Sequence, residues 1–261
     1  MIAAARTRFV LPAELSAGQP PESRGLRRDQ VRLLVADGAA VWHARFADLG
    51  RFLSPGDLVV VNTSATLPAA VDADGVVVHF STALDEPDTW LVELRRPDQS
   101  GPVGDAVPGE RITLPAGASL TLLSATGVRL VFRSDLRVER ERFAVPEPTA
   151  RQVNLARRTG GRVVAVGTTV ARALETVARP DGTVVAGGGW TDLVLGPDRP
   201  ARVVDGLVTG WHEPHASHLL LLEAVAGAEL VQRAYDAALT NRYLWHEFGD
   251  SCLLFRPRED R

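Results

Sequence analysis

The chain has 261 residues, of which 45% are apolar and 23% charged, a balance that excludes disordered and collagen-like chains. Net charge is −3, which is not the balance of an obligate nucleic-acid binder. Every basic side chain is arginine, so Walker-type phosphate loops, Schiff-base enzymes and lysine general bases are excluded, and the single Cys252 excludes an internal disulfide and multi-cysteine metal sites.

Residues 1–15 lack the long apolar core of a secretory signal, and no apolar run reaches the roughly 18 residues of a membrane helix. A cytoplasmic protein without membrane contact is expected. Arg32 to Asp37 reads as a strand with Val41 to Phe46 as its hairpin partner. Ala47 to Leu53 suits a short helix stopped by Ser54-Pro55-Gly56. Asp57 to Val61 is a continuous apolar strand that ends at Asn62-Thr63-Ser64, and loops at the carboxyl ends of buried strands are where open α/β sheets bind ligands.

Beyond Val71 the texture changes to short strands separated by Gly, Pro, Asp and Ser. They run Val76 to Phe80, Trp90 to Leu94, Arg111 to Leu114, Leu120 to Leu123 and Val128 to Phe132. This predicts an α/β domain (1–69 and 135–261) interrupted by a small antiparallel β-barrel domain (70–134). Helical texture returns with a start signal at Pro146-Glu147-Pro148-Thr149 and a stop at Gly160-Gly161. Then come a strand over Arg162 to Val166, a helix from about Val170 to Ala178 and a strand over Thr191 to Leu195. Asp205-Gly206, between Arg202 to Val204 and Leu207 to Thr209, signals a two-residue hairpin. Ser217 is placed to cap an apolar helix over His218 to Ala226, ended by Gly227. A helix over Glu229 to Leu239 and a strand over Ser251 to Phe255 close the chain.

Chemistry concentrates at three places. Gly167 lets the backbone turn out of a strand, and Thr168 and Thr169 offer hydroxyls and amides at a helix start, either as an anion site or as a well-capped turn. Arg172 and Glu175 stand one turn apart on that helix. Three of six histidines fall between His212 and His218. The residue four after His212 is Ala216 and Pro214 breaks the helix, so a metalloprotease-type zinc pair is not formed. His212 is the better acid/base group, while His218 reads as a packing residue at the helix start. Trp245 to Asp250 combines aromatic rings with carboxylates, which suits a nucleoside or a buried aromatic belt. Arginines gather at Arg24, Arg27, Arg28 and Arg32, at Arg133 to Arg142 and at Arg151 to Arg162, either as phosphate-steering faces or as solvated surface.

Taken together the segments resemble the S-adenosylmethionine:tRNA ribosyltransferase-isomerase family of queuosine biosynthesis. The resemblance is carried by Ser54 to Asn62, by Ala165 to Thr169 with Arg172 and Glu175, by Thr191-Asp192-Leu193, by Val203 to Thr209, by His212 and Pro214 with Ser217, and by Tyr243 to Asp250. It implies an α/β fold with an inserted β-barrel, and transfer of the ribosyl part of S-adenosylmethionine to a deazaguanine base in a tRNA anticodon. S-adenosylmethionine would be donor substrate, tRNA the partner and no metal would take part. A monomer is expected. Among site residues it implies His212, Glu175 and Asp250 as catalytic groups, with Asn62, Thr63, Thr168, Thr169, Arg172, Trp211 and Phe248 binding substrate.

Three departures stand out. Ala65 and Ala70 replace two family arginines. A long family segment between barrel and helix is missing, and Ser134 to Glu141 reads as a join. Trp211 and Glu213 replace a Phe and a Leu. They leave two alternatives: the same fold acting on another acceptor, or a non-catalytic RNA- or nucleoside-binding relic.

Overall fold

The computed structural model describes residues 4–64, 69–73, 75–83, 89–98, 101, 103, 106–123, 141–246 and 248–257. The predicted strand over Val128 to Phe132, the join over 134–140, Ala65 and Glu247 lie outside the described residues. The chain divides into two compact units, residues 1–63 with 134–261 and residues 64–133.

The first unit is built on a six-stranded mixed sheet. Its strands are β1 (Arg32–Asp37), β2 (Ala40–Arg45) and β3 (Leu58–Val60) from before the second unit. In the second unit lie β4 (Ala70–Ala73), β5 (Val76–Ala83), β6 (Trp90–Arg95), β7 (Arg111–Thr113) and β8 (Ser119–Thr121). The chain then runs through β9 (Glu141–Val145), α1 (Glu147–Arg158), β10 (Val163–Val166), α2 (Thr168–Thr176), β11 (Gly187–Thr191), β12 (Gly206–Gly210), α3 (His218–Ala226), α4 (Ala228–Thr240) and β13 (Ser251–Phe255). The main sheet has the order β2-β1-β13-β12-β10-β3. Strands β3, β10 and β12 are parallel to one another, and β13 runs antiparallel to β12.

Alternation along the strands gives the sheet two apolar faces. The four α-helices among the described residues pack on one face, where Leu34, Ala165, Leu207 and Leu254 meet Val153, Leu174, Leu222 and Val231. The other face carries Leu33, Val35, Val164, Val208, Leu253 and Phe255, covered by Phe46, Leu49, Phe52 and Leu53. Those four lie in or next to a 3₁₀ stretch, Phe46–Phe52, where the sequence predicts a short helix. Burying each large apolar side chain contributes about 1.5–3 kcal/mol, so these two faces carry most of the favourable energy.

Two expectations fail here for a long-range reason. Residues 202–204 form no strand, because their amides donate to the Glu175 carboxylate instead of to a hairpin partner. Asp205 and Gly206 serve packing between strands. Asp205 accepts from the Val163 amide at 2.9 Å, and a β-carbon on Gly206 would meet the Phe255 ring at 2.9 Å. The strand expected over Thr191 to Leu195 lies earlier, at β11, paired with β9 in a separate two-stranded sheet. Ser217 precedes α3 as expected but makes no side-chain cap.

The second unit contains a three-stranded antiparallel sheet, β4-β5-β6, and a β7-β8 hairpin. Val78, Val92 and Leu94 of the former share a buried cluster with Ile112 and Leu122. Among the described residues no helix is long and apolar enough to cross a membrane.

Candidate active site

The order and register of the sheet bring separate loops to one end. Val60 lies beside Ala165, and Val166 beside Val208, so three adjacent parallel strands finish level with one another. Their carboxyl ends lead into Asn62-Thr63, Gly167-Thr168-Thr169 and Trp211-His212. Strand β13 starts at this same end, with Ser251 opposite Gly210, which delivers Phe248 and Asp250. Eight of the ten residues predicted from the sequence thus collect at one end of the sheet. Arg172 lies one turn into α2, and Glu175 lies at the far end of that helix.

The turn from β10 into α2 depends on Gly167, whose φ of +91° is unfavourable for a side chain. Its amide donates to the Val208 carbonyl at 2.8 Å, which locks the turn to β12. Thr168 is half-buried and Thr169 exposed, and α2 has no side-chain cap. The start of α2 therefore presents amide dipoles and two hydroxyls at the strand ends.

His212 is held on every side. Its Nε2 lies 3.1 Å from Thr209 Oγ1, its amide donates to the Tyr235 hydroxyl at 3.2 Å, and its carbonyl accepts from Trp245 Nε1 at 3.0 Å. Its ring stacks on His218 with centroids 4.7 Å apart and planes 10° from parallel. Burial pushes His212 down to about 3, with a further contribution from His218. His218 is also lowered, by burial first and then by the Arg172 charge. Both rings are neutral near pH 7. Arg172 is itself buried and pairs with Glu141 at 3.2 Å.

Three predicted roles are corrected by the geometry. Glu175 has a fully buried carboxylate that accepts from the amides of Arg202, Val203 and Val204 at 2.7–3.0 Å and pairs with Arg199 at 3.6 Å. Its acceptor positions are filled and it lies at the wrong end of the helix, so it is an architectural anchor and not a base. Asp250, also buried, accepts from the Arg32 amide through Oδ1 and from the Leu244 amide through Oδ2, both at 2.8 Å. It ties β1 to the bend before β13. Trp211 is 3% exposed and packs against Tyr235, Tyr243 and Trp245, so it is core and cannot offer a face to a ligand. Phe248, 38% exposed, keeps a ring available for stacking.

Glu141, Thr209 and Tyr235 had no signal in the sequence as site residues. Glu141 and Tyr235 act on groups distant in the chain, Arg172 and His212, which only the fold joins to them, whereas Thr209 is a near neighbour of His212 in sequence. The lone Cys252 is buried, which pushes its thiol up to about 12 and leaves it inert.

A family model described as queuosine biosynthesis protein matches residues 5–133 and 107–254. An S-adenosylmethionine:tRNA ribosyltransferase-isomerase from Ralstonia nicotianae is 37% identical over 196 residues, covering 75% of this chain and 50% of that protein. One from Symbiobacterium thermophilum is 29% identical over 337 aligned positions, covering 94% of this chain and 98% of the relative. The crystal structure of S-adenosylmethionine tRNA ribosyltransferase from Thermotoga maritima superposes with a TM-score of 0.58 at 30% identity, over 94% of this chain and 98% of that one. An alignment of 337 positions exceeds the 261 residues available, so roughly 90 positions have no counterpart in this chain. The two family-model matches overlap at residues 107–133, just ahead of the predicted join.

Proposed function

The chain belongs to the queuosine biosynthesis protein family, and on that premise we propose that it is an S-adenosylmethionine:tRNA ribosyltransferase-isomerase. It moves the ribosyl part of S-adenosylmethionine to the aminomethyl group of a deazaguanine base in tRNA. Adenine and methionine are the leaving products, and the acceptor amine gives up a proton. The observation that carries this reading is the level finish of β3, β10 and β12, with Asn62, Thr168 and His212 on neighbouring strand ends.

That geometry supports the following roles. Thr168 and Thr169, at the start of α2, hold an anionic end of a substrate such as the methionyl carboxylate. His212, neutral near pH 7, accepts a hydrogen bond or a proton beside the sulfonium without repelling it. Phe248 stacks on a base, and Asn62 and Thr63 supply polar contacts. Arg172, through its pair with Glu141, steadies the first turn of α2. Donor and acceptor supply the chemistry, and no metal is needed for it. The protein works as a monomer in the cytoplasm, where its tRNA is. The insert is a small β-barrel, a reading supported by the buried cluster common to its two sheets.

The test is incubation of the chain with S-adenosylmethionine and tRNA carrying the aminomethyl-deazaguanine base, with released adenine measured by chromatography. Adenine release that requires this tRNA is expected, and none at all removes the reading. The roughly 90 unmatched positions favour one second reading, the same donor chemistry on a different acceptor. Adenine release driven by a free deazaguanine but not by the tRNA would establish it.

A further inference from the structure

His218 lies outside the groups assigned above, yet it covers one face of the His212 ring. The two rings come from different elements, His212 from the loop after β12 and His218 from the first position of α3. Their planes are 10° from parallel with centroids 4.7 Å apart, an offset stack in which the edge of one ring lies against the face of the other. His218 also feels the charge of Arg172 on α2, which pairs with Glu141 on β9. The stack therefore joins α2, α3 and the loop that carries His212.

The contact constrains His212 in two ways. It occupies part of the space against one face of the ring, limiting how the plane can turn and with it the direction of both nitrogens. It also takes water away from that face. The remaining anchors of His212 act at one ring nitrogen and at its backbone, through Thr209, Tyr235 and Trp245, and none of them covers the ring as His218 does.

We propose that His218 is a positioning residue for His212: its stacked ring holds the His212 imidazole in one orientation and shields it from water, so that His212 meets a cationic substrate as a neutral group. A proton on His218 is opposed by the nearby Arg172 charge and by the amide dipoles at the start of α3, both fixed by the fold. Glu141 is turned to Arg172 and Glu213 to His246, so neither carboxylate is engaged with the two rings. This rests on the function proposed above only for the identity of the substrate.

The experiment uses the full chain with His218→Ala and His218→Phe. Phenylalanine keeps a ring over His212 and alanine does not. The His212 titration is followed by the NMR signal of its ring carbon, which needs no activity. Alanine is expected to raise the midpoint by at least about one pH unit toward the ordinary histidine value, and phenylalanine to restore it to within a few tenths. In adenine release, alanine should lower kcat tenfold or more with little change in KM for S-adenosylmethionine, and phenylalanine should recover most of it. Thermal melts verify that both variants fold. If alanine leaves the His212 midpoint in place, or phenylalanine fails to restore it, the proposal is overturned. If the midpoint moves as stated while no variant or parent releases adenine, the positioning role stands and the reaction assignment falls.

Discussion

The two ends of α2 make opposite use of polar residues that stand only a few positions apart. At its start, Thr168 and Thr169 keep hydroxyls without a capping role and face the strand ends. At its finish, Glu175 is sealed from water with its acceptor positions filled by residues 202–204 and Arg199. In sequence both look like ligand-binding groups, since each is a polar residue on a short helix next to a glycine turn. The difference lies in what else reaches them. A polar group whose partners come from distant backbone is architecture, and one left facing solvent at converging strand ends is available for chemistry.

This contrast is sharpest in stability. Glu175→Ala should strip three amides and Arg199 of their acceptor and cost about 3–5 kcal/mol in urea unfolding. A loss near zero would put Glu175 in the same class as the threonines. Asp250→Asn keeps shape but replaces one accepting oxygen by a donor, and a loss of about 1–3 kcal/mol is expected by the same measurement.

The acid limb of stability tests the stacked histidines. Their folded values are below the ordinary 6.5, so the unfolded chain binds protons that the fold refuses. The stability held this way is complete above 6.5 and falls as pH drops toward about 3, the value of His212. Within that window His212 steepens the dependence by about 1.4 kcal/mol per pH unit, and His218 adds to it in the same direction. His212→Asn should remove one such contribution from urea midpoints measured across the window, and an unaltered slope would mean that the ring already takes up a proton in the fold. The smallest stability effect belongs to Thr169→Ala, within about 0.5 kcal/mol, as for exposed sites elsewhere. Its effect should appear instead as several-fold weaker S-adenosylmethionine binding by calorimetry.

Much of the main sheet was legible from the chain alone. The runs at Arg32 to Asp37, Arg162 to Val166 and Ser251 to Phe255, and the helix His218 to Ala226, appear within a residue of where their apolar patterns put them. They are elements whose neighbours on the sheet bury them on both sides, so local pattern and final environment agree. Asp205-Gly206 misled because a turn signal is local while its use is not: the glycine makes room for Phe255, and the preceding amides belong to Glu175. The triple glycine at 187–189 hid β11 for the opposite reason, since it lacks the side chains that mark a strand. Of the site, the strand-end residues could be anticipated from apolar runs ending in polar loops. Which carboxylates were already engaged could not, because Arg32, Leu244 and residues 202–204 give no hint of their partners.

The strand order has a consequence for a chain cut within residues 64–133. Strands β1, β2 and β3 belong to the piece before the cut and β10, β12 and β13 to the piece after it, yet the first set flanks the second on both sides. The first fragment's strands are split between the two edges, and the second keeps only the central β13-β12-β10 with both of its sides unpaired, so each completes the sheet of the other. A nick there should leave two polypeptides that co-migrate on native gels and separate only in denaturant, and separately expressed halves should reconstitute when mixed.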